Sequence, residues 1–280
     1  MTGNLYIVAT PIGNLKDRSY RAEEILLSVD LIAAEDTRRA RSLLTEIGHT
    51  EASFIALHEH NESEEIDNII RSISDGKDVA VVSDAGTPLL SDPGFQLVRE
   101  CWGRDIPVIP VPGPSSITSA LSICPIPSER FYFHGFLSAK ARKRREQLAG
   151  LLERSEATVF FEAPHRIEKC LIDITDLAPQ RQMMIARELT KLYEDCIVGR
   201  ADELLSILRE REALRGEFVC IVEGNNQYSP EHIEIDLLLE LLINEVGPSR
   251  AAKIAAQVLK RNRREIYQIA IEIQEKNLKL

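Results

Sequence analysis

Short apolar segments alternate with amphipathic segments over the first 112 residues of the chain. Runs of apolar residues predict five strands, at Leu5–Ala9, Leu31–Ala34, Ser53–Leu57, Val79–Val82 and Val108–Val111. Apolar residues at helical spacing predict helices between them, at residues 18–29, Arg39–Ile47, Ser63–Ser74 and Gly94–Trp102. Because strands and helices alternate along the chain, we expect a mostly parallel sheet with helices packed over it.

A second sheet-like block follows the rigid turn Pro112-Gly113-Pro114. The helical segment Ser115–Ile123 cannot continue through Pro125 and Pro127. Further strands are predicted at Phe131–Phe133, Thr158–Phe161, Met183–Ala186 and Phe218–Val222. Further helices are predicted at Arg142–Arg154, Ile167–Leu177 and Ala201–Glu212.

The last part of the chain is predicted to be helical over residues 235–245 and 249–275, after a linker at Gly224–Pro230. The pattern as a whole predicts an α/β protein of two domains with a small C-terminal helical appendage. We place the domains at residues 1–114, 115–228 and 229–280.

Charge is distributed unevenly along the chain. The formal net charge of −10 does not indicate a general nucleic-acid binder, because phosphate contacts need clustered Lys and Arg. Residues 247–264, however, contain six basic residues and no acid: Arg250, Lys253, Lys260, Arg261, Arg263 and Arg264. A second basic cluster is Lys140, Arg142, Lys143, Arg144 and Arg145. Charge alone leaves open whether these clusters contact a polyanion or only solvent.

Cysteine spacing and hydropathy bear on location. The five cysteines are widely separated and form no Cys-x-x-Cys pair, which argues against a disulfide framework and against a zinc site. The first residues lack the pattern of a signal peptide, and no apolar run is long enough to span a bilayer. We therefore expect a cytosolic protein with no metal site and no membrane partner.

Four turns rich in Gly, Pro and acidic residues follow predicted strands: Thr10–Leu15, Ala34–Arg38, Ser83–Gly94 and Val111–Ser116. Ligands of α/β sheets collect at the carboxyl ends of strands, so these turns are candidates for a binding site. None contains Gly-x-Gly-x-x-Gly, which disfavours an ordinary dinucleotide-binding enzyme. The alternative is a structural role, such as Asp36 or Thr37 capping a helix.

These turns, with Gly135–Lys140, Phe161–Ile167, Arg187–Glu194 and Gly216–Gly224, resemble the tetrapyrrole methylase superfamily. Within it, the chain is similar to the methyltransferases of 16S ribosomal RNA that modify a cytidine 2′-hydroxyl. The resemblance covers essentially the whole chain. One position departs from it: Pro125 stands where relatives usually carry glycine, which puts the shape of that loop in doubt.

The resemblance implies two α/β domains with S-adenosyl-L-methionine in the cleft between them, and a homodimer. The cofactor contacts that it implies are Pro11, Asp84, Ala85, Gly86, Thr87, Ser115, Phe161, Glu162, Glu217, Phe218 and Val219. The C-terminal helices resemble a helix-turn-helix tail. Their basic residues, Arg250 to Arg264, would then contact phosphates of 16S rRNA in the small ribosomal subunit.

Methyl transfer from a sulfonium to a ribose hydroxyl is an in-line displacement in which the enzyme chiefly positions the nucleophile. A base must take the hydroxyl proton, or a cation must stabilise the developing alkoxide. The candidate bases are Asp36, Glu162 and His165, and the sequence does not choose among them. The candidate contacts for substrate phosphate or the oxyanion are Arg38, Arg166, Arg187 and Lys191, of which Lys191 is also counted as catalytic.

Two other functions remain open. A methylase of the same fold could act on a small molecule, of tetrapyrrole or diphthine type, and would not need the basic tail. A non-enzymatic RNA-binding protein of ribosome assembly would need the basic clusters, but not the Gly, Asp and Pro turns at the strand ends.

Overall fold

A computed structural model describes residues 2–49, 51–58, 61–211, 215–225, 230–258 and 262–277. Within these residues the chain forms two five-stranded sheets followed by three helices. None of the helices in these ranges combines the length and the apolar character needed to cross a bilayer.

The first sheet is entirely parallel, in the order β3-β2-β4-β1-β5. Its strands are β1 Leu5–Val8, β2 Leu31–Ala34, β3 Phe54–Ala56, β4 Val79–Val82 and β5 Val108–Val111. Its connections are a 3-10 turn at Leu15–Asp17 and the helices α1 Tyr20–Ser28, α2 Thr37–Glu46, α3 Glu62–Ser74 and α4 Phe95–Gly103. The central strand β4 is buried along its whole length, as expected for a parallel sheet that is covered on both faces.

The second sheet is mostly antiparallel, in the order β6-β7-β10-β8-β9, and only β6 and β7 run parallel. Its strands are β6 Phe131–Phe136, β7 Ala157–Glu162, β8 Gln182–Arg187, β9 Asp195–Arg200 and β10 Phe218–Val222. Its helices are α5 Ser116–Ser122, α6 Ala141–Leu152, α7 Ile167–Leu177 and α8 Ala201–Arg209. One apolar cluster packs α6, α7 and α8 on one face of this sheet.

The other face of the second sheet carries the cluster that joins the two halves of the molecule. Ile12, from the turn after β1, packs there with Ile117 and Ala120 of α5 and with Val219 of β10. Because apolar burial is the main force that holds such elements together, this cluster fixes the first sheet's strand-end turns beside the second sheet.

The C-terminal helices are α9 Pro230–Val246, α10 Pro248–Val258 and α11 Arg263–Asn277. They bury a core of their own, which includes Leu239, Ala252 and Ala270. The predicted helical stretch 249–275 is thus two helices, because the side chain of Asn262 accepts a hydrogen bond from the backbone N–H of Arg264 and begins α11. Pro230, predicted to end the linker, is the first residue of α9.

Strand β9 was not predicted from the sequence. It is an edge strand of alternating intermediate and exposed residues and contains Asp195, Gly199 and Arg200, so it lacks the apolar run that marks the buried strands. Helix α8 ends at Arg209, whereas the predicted end, Glu212, lies outside the described residues.

Candidate active site in the cleft between the two sheets

A cavity of about 390 Å³ lies where the turns of the first sheet face the strand ends of the second. Its first wall comes from the turns after β1, β2 and β4, and its second wall from the ends of β7, β8 and β10. The beginning of α5 closes it with Ser115, Ser116 and Ile117. Its volume is typical of sites that bind a ligand the size of a nucleoside.

Backbone and side-chain hydrogen bonds hold the turns of the first wall together. Thr10 and Gly86 exchange two backbone hydrogen bonds of 2.9 and 3.0 Å, and Gly86 adopts a φ of +87° that favours glycine. Asp84 accepts a hydrogen bond of 3.1 Å from the backbone N–H of Asp36 and forms an ion pair of 3.0 Å with Arg39. The three turns therefore form one connected surface.

The second wall is largely apolar and aromatic. Phe161 and Phe136 line it with their ring centroids 5.3 Å apart. Ala186, Leu189 and Val219 complete it. Such a surface can pack against the flat face of a heterocycle.

Ten of the eleven predicted cofactor contacts line this one cavity: Asp84, Ala85, Gly86, Thr87, Ser115, Phe161, Glu162, Glu217, Phe218 and Val219. Pro11 lies instead on an adjoining cavity of about 340 Å³, which shares Ile12, Arg39 and Glu217 with the first. The motifs that are far apart in the sequence thus meet at one place.

Glu162 and Arg166 form a buried ion pair beneath the cavity. Arg166 Nε lies 2.7 Å from Glu162 Oε1, and the Glu162 side chain is 0% exposed. The second carboxylate oxygen, Oε2, is buried and accepts no hydrogen bond within the described part of the protein. Arg166 and the backbone N–H of Ala163 both contact Oε1, so Oε2 of Glu162 is a buried acceptor without a partner in the described ranges.

Asp36 and Arg38 pair with each other outside both cavities. Asp36 caps α2 by accepting the backbone N–H of Arg38, and its carboxylate lies 2.7 Å from an Arg38 guanidinium nitrogen. The hydrogen bonds from the Arg38 side chain and backbone hold the pKa of Asp36 well below its usual range. A carboxylate with so low a pKa is a weak proton acceptor.

The remaining residues that were predicted to act in catalysis or substrate binding near the cleft lie in different surroundings. His165 is exposed and lies outside the residues that line the two cavities. Arg187 donates to the backbone carbonyl of Arg215 at 2.8 Å. Lys191 lines the adjoining cavity, with its Nζ 3.0 Å from Glu188 Oε1 and 3.3 Å from Glu217 Oε2.

The charge state of Lys191 follows from these neighbours. Burial lowers the pKa of Lys191, but the hydrogen bond to Glu188 and the charge of Glu217 outweigh it and raise the pKa above its ordinary value. Lys191 is therefore a cation at neutral pH and can act by its charge.

Among the charged and aromatic residues that line the cavity, four were not predicted as site residues from the sequence: Glu35, Arg39, Asp92 and Phe136. Glu35 and Arg39 neighbour the predicted Asp36 and Arg38, but successive residues at a helix start point in different directions. Asp92 belongs to the recognised Ser83–Gly94 turn, which could have suggested it.

Asp92 differs electrostatically from the predicted bases. Burial, together with the negative charges of Glu35 and Asp84, raises the pKa of Asp92 to about 6, although the hydrogen bond from Ser83 acts to lower it.

The basic residues of the tail are exposed. Arg250, Lys253, Arg263 and Arg264 are exposed and form no ion pair with any acid in the described ranges, whereas Lys260 and Arg261 lie outside the described residues. The other basic cluster is largely neutralised, because Arg144 and Arg145 contact Asp173 at 2.8 and 3.2 Å and Arg142 contacts Glu146 at 2.8 Å. In the described part of the chain, no group of three or more His, Cys, Asp or Glu could hold a metal ion.

Solved structures share the fold of this protein. A cobalt precorrin-4 methyltransferase superposes with a TM-score of 0.59 over 78% of this chain and 94% of that one, at 14% identity. A uroporphyrin-III C-methyltransferase of Thermus thermophilus, complexed with S-adenosylhomocysteine, superposes with a TM-score of 0.57 over 79% of this chain and 97% of that one, at 15% identity.

The amino-acid sequence also matches known families and proteins. Residues 4–205 match the family model of the tetrapyrrole (corrin/porphyrin) methylases, and residues 230–274 match the RsmI C-terminal HTH domain. Ribosomal RNA small subunit methyltransferase I of Xylella fastidiosa (strain Temecula1) is 45% identical over 95% of this chain and 98% of its own length. The protein of the same name from Escherichia coli O157:H7 is 43% identical over 97% of this chain and 96% of its own length. The chain therefore belongs to the tetrapyrrole methylase family of methyltransferases, and within it to the group of the ribosomal RNA small subunit methyltransferase I proteins.

Proposed function

We propose that this protein transfers a methyl group from S-adenosylmethionine to the 2′-hydroxyl of a cytidine in the 16S rRNA of the small ribosomal subunit. The near-full-length identity to relatives named ribosomal RNA small subunit methyltransferase I carries the choice of RNA. The match includes the tail, which supports a macromolecular substrate over a small one.

The residues of the cavity fit this methyl donor. S-adenosylmethionine supplies a methyl group on a positively charged sulfur, and its amino-acid end carries an ammonium group. Asp84 lines the first wall and Glu217 the second, and Oε2 of Glu162 is buried without a hydrogen-bond partner in the described ranges. An acidic cavity favours a cationic ligand, and Phe161 offers an aromatic surface to its adenine.

The chain's own contribution to the reaction is positioning and electrostatics. Hydrogen bonds join the turns at Thr10, Gly86 and Asp84 into the first wall of the cavity. Helix α5 presents Ser115 and Ser116 at its beginning. Lys191, held as a cation on the adjoining cavity, would lie beside the entering substrate strand. Its ammonium group contacts Glu188 and Glu217 and would offer a further N–H donor to a substrate oxygen there.

The tail supplies the electrostatic attraction to RNA. Four exposed basic side chains, Arg250, Lys253, Arg263 and Arg264, carry charge that no acid in the described ranges neutralises. Each basic residue that contacts a phosphate releases counterions, so binding through this surface would weaken steeply with salt.

The decisive experiment is mass spectrometry of small-subunit RNA from cells with and without the gene. We expect one ribose methyl on a cytidine to disappear in the deletion strain and to return with the full-length protein. Unchanged RNA, together with methyl transfer by the purified protein to a porphyrin, would replace this proposal by a small-molecule methylase of the same fold.

A charge-removal variant tests the tail. Replacing Arg250, Lys253, Arg263 and Arg264 by alanine should raise the KM for small subunits at least tenfold, flatten the salt dependence of binding, and leave donor binding unchanged. The matched control replaces Arg142 and Lys143 of α6 by alanine, and should change the KM less than threefold. Equal losses in both variants would contradict a specific role of the tail.

The homodimer that the resemblance implies and the cytosolic location expected from the cysteine and hydropathy patterns are part of the same proposal. Exposed large apolar side chains outside the cavity, including Phe95, Trp102 and Tyr193, are the kind of surface that a second copy would cover. Sedimentation equilibrium of the purified protein and fractionation of cells test the two statements.

A further inference from the structure

Asp92 lies on the first wall of the cavity, in the loop between β4 and α4. It faces Ser83 and Asp84 at the end of β4, and Glu35 at the end of β2. The other charged group of this wall, Arg39 of α2, is paired with Asp84. Asp92 accepts a hydrogen bond from Ser83 and forms no ion pair with a basic residue in the described ranges, so no cation neutralises the carboxylate that it places at the cavity.

The loop that carries Asp92 is held in an unusual backbone conformation. Leu89 and Ser91 adopt φ values of +71° and +74°, which non-glycine residues rarely take. Such strain persists only where the surrounding structure enforces it, and it clusters at functional sites. The strain therefore indicates that the fold holds Asp92, the residue after Ser91, in a position that has a function.

Two contacts enforce this conformation. Glu62, which is buried at the start of α3, accepts hydrogen bonds from the backbone N–H groups of Gly94 at 3.2 Å and Gln96 at 2.9 Å. On the other side, the hydroxyl of Ser91 would lie 3.0 Å from a Cβ built on Gly135 of β6. The loop is thus clamped between α3 and the second sheet, with Asp92 in the cavity.

The other candidate bases are less suited to take a proton. Asp36 and His165 do not line the cavity, and Glu162 shares its charge with Arg166. Asp92 lines the cavity without a basic partner.

We propose that Asp92 is the general base of the methyl transfer, a role that rests on the proposed function. Its carboxylate accepts the proton of the ribose 2′-hydroxyl while that oxygen forms a bond to the methyl carbon. The carbon–sulfur bond breaks with its electron pair staying on sulfur, which leaves a neutral thioether. The proton later passes from Asp92 to water.

The first test is Asp92→Asn, which keeps the shape of the side chain and removes the base. A positioned base contributes roughly 10²–10⁴-fold to a rate, so single-turnover methylation of small subunits at saturating donor should fall at least 100-fold. Calorimetry should show binding of S-adenosylhomocysteine within threefold of wild type. Because the carboxyl titrates near pH 6, the wild-type rate should rise through pH 6 and level off, and the residual rate of the variant should lack this step.

A titration without turnover gives an independent readout. Carbon-13 NMR of the unliganded protein should show one aspartate carboxyl that titrates near pH 6, and its signal should be absent in Asp92→Asn. The control is Asp105→Asn, at an exposed position with a φ of +55° beyond the other end of α4, and it should leave the rate and this signal unchanged.

The outcomes separate the two proposals. If wild type methylates small subunits and Asp92→Asn does so within threefold, Asp92 is not the base and the proposed function stands. A variant that loses donor binding along with its rate, or that keeps the wild-type pH profile, also overturns the role of Asp92. If wild type binds the donor but leaves small-subunit RNA unmethylated, the proposed function itself fails.

Discussion

The two walls of the cleft handle their charged groups in opposite ways. On the second wall both acids are paired with a base from the same half of the molecule, Glu162 with Arg166 and Glu217 with Lys191. On the first wall Glu35, Asp84 and Asp92 lie together with a single basic residue, Arg39, among the residues that line the cavity. The first wall therefore includes a carboxylate, that of Asp92, with no ion pair in the described ranges, whereas each acid that lines the second wall is paired with a base.

The two walls are therefore expected to have different roles in the site. A wall whose acids are neutralised can pack against a ligand without repelling or attracting it, so it contributes shape and apolar contact. A wall that places the carboxylate of Asp92 near other acids and without a basic partner can hold a proton acceptor, at a cost in stability, because like charges repel in the folded state. Variants of the two walls should consequently differ in which property they change.

The largest effect is expected at the buried ion pair of the second wall. Arg166→Met should lower the free energy of unfolding by about 3 kcal/mol, because it leaves the carboxylate of Glu162 buried without its partner. Urea denaturation at pH 8 measures this. Arg38→Met, which breaks an exposed pair, is the control and should cost less than about 0.5 kcal/mol; an equal cost in both variants would contradict the comparison.

Gly86→Ala should cost about 1–2 kcal/mol, since alanine is strained at a φ of +87°. The added methyl group would also lie 3.3 Å from Ile12 Cγ2. Because this contact would displace the first wall of the cavity, donor binding should weaken about tenfold. Gly48→Ala shares the strain, at a φ of +83° with no heavy atom within 4 Å of the added carbon, and should leave donor binding unchanged in calorimetry.

Asp36→Ala should cost about 1 kcal/mol in thermal or urea unfolding, because α2 loses its cap. Asp36→Asn should recover most of that loss, since asparagine caps as well as aspartate. We expect both variants to keep methyl transfer within tenfold. An inactive Asp36→Asn protein of normal stability would instead make Asp36 the base.

The smallest effect is a gain in stability at Asp92. The raised pKa means that the folded state binds this proton more tightly than the unfolded state, so the ionised carboxylate destabilises the fold above pH 6. Asp92→Asn should therefore be up to about 1 kcal/mol more stable than wild type at pH 8, after allowance for solvent screening. The gain should vanish near pH 4, and a gain that is independent of pH would exclude this cause.

The sequence was sufficient for elements whose apolar pattern is complete, either along a whole strand or along one face of a helix. Strand β4 and helix α7 occupy the predicted residues, because their apolar pattern reflects burial directly. Strand β9 escaped prediction since an edge strand is half exposed, and its pairing with β8 is a tertiary fact. The contact of Glu62 with the start of α4 could not be predicted either. Its carboxylate accepts a hydrogen bond from the backbone N–H of Gly94, 32 residues further along the chain.

The site was predictable as a set of turns but not as a set of side-chain roles. Contiguous motifs identified ten residues around the cavity. They could not show that Arg39 faces it while Arg38 pairs with Asp36, because that depends on the direction of each side chain at the start of α2. Nor could they show that Arg166 is committed to Glu162.

The close approach of Ser91 to Gly135 has a consequence for motion. Gly135 sits at an irregularity in β6, with a φ of +78°, and a Cβ built on it would lie 3.0 Å from Ser91 Oγ in the loop that holds Asp92. A movement of the second sheet away from the first would therefore remove a neighbour of this loop. Opening of the cleft for product release would then also loosen the hold on the residue that carries the transferred proton.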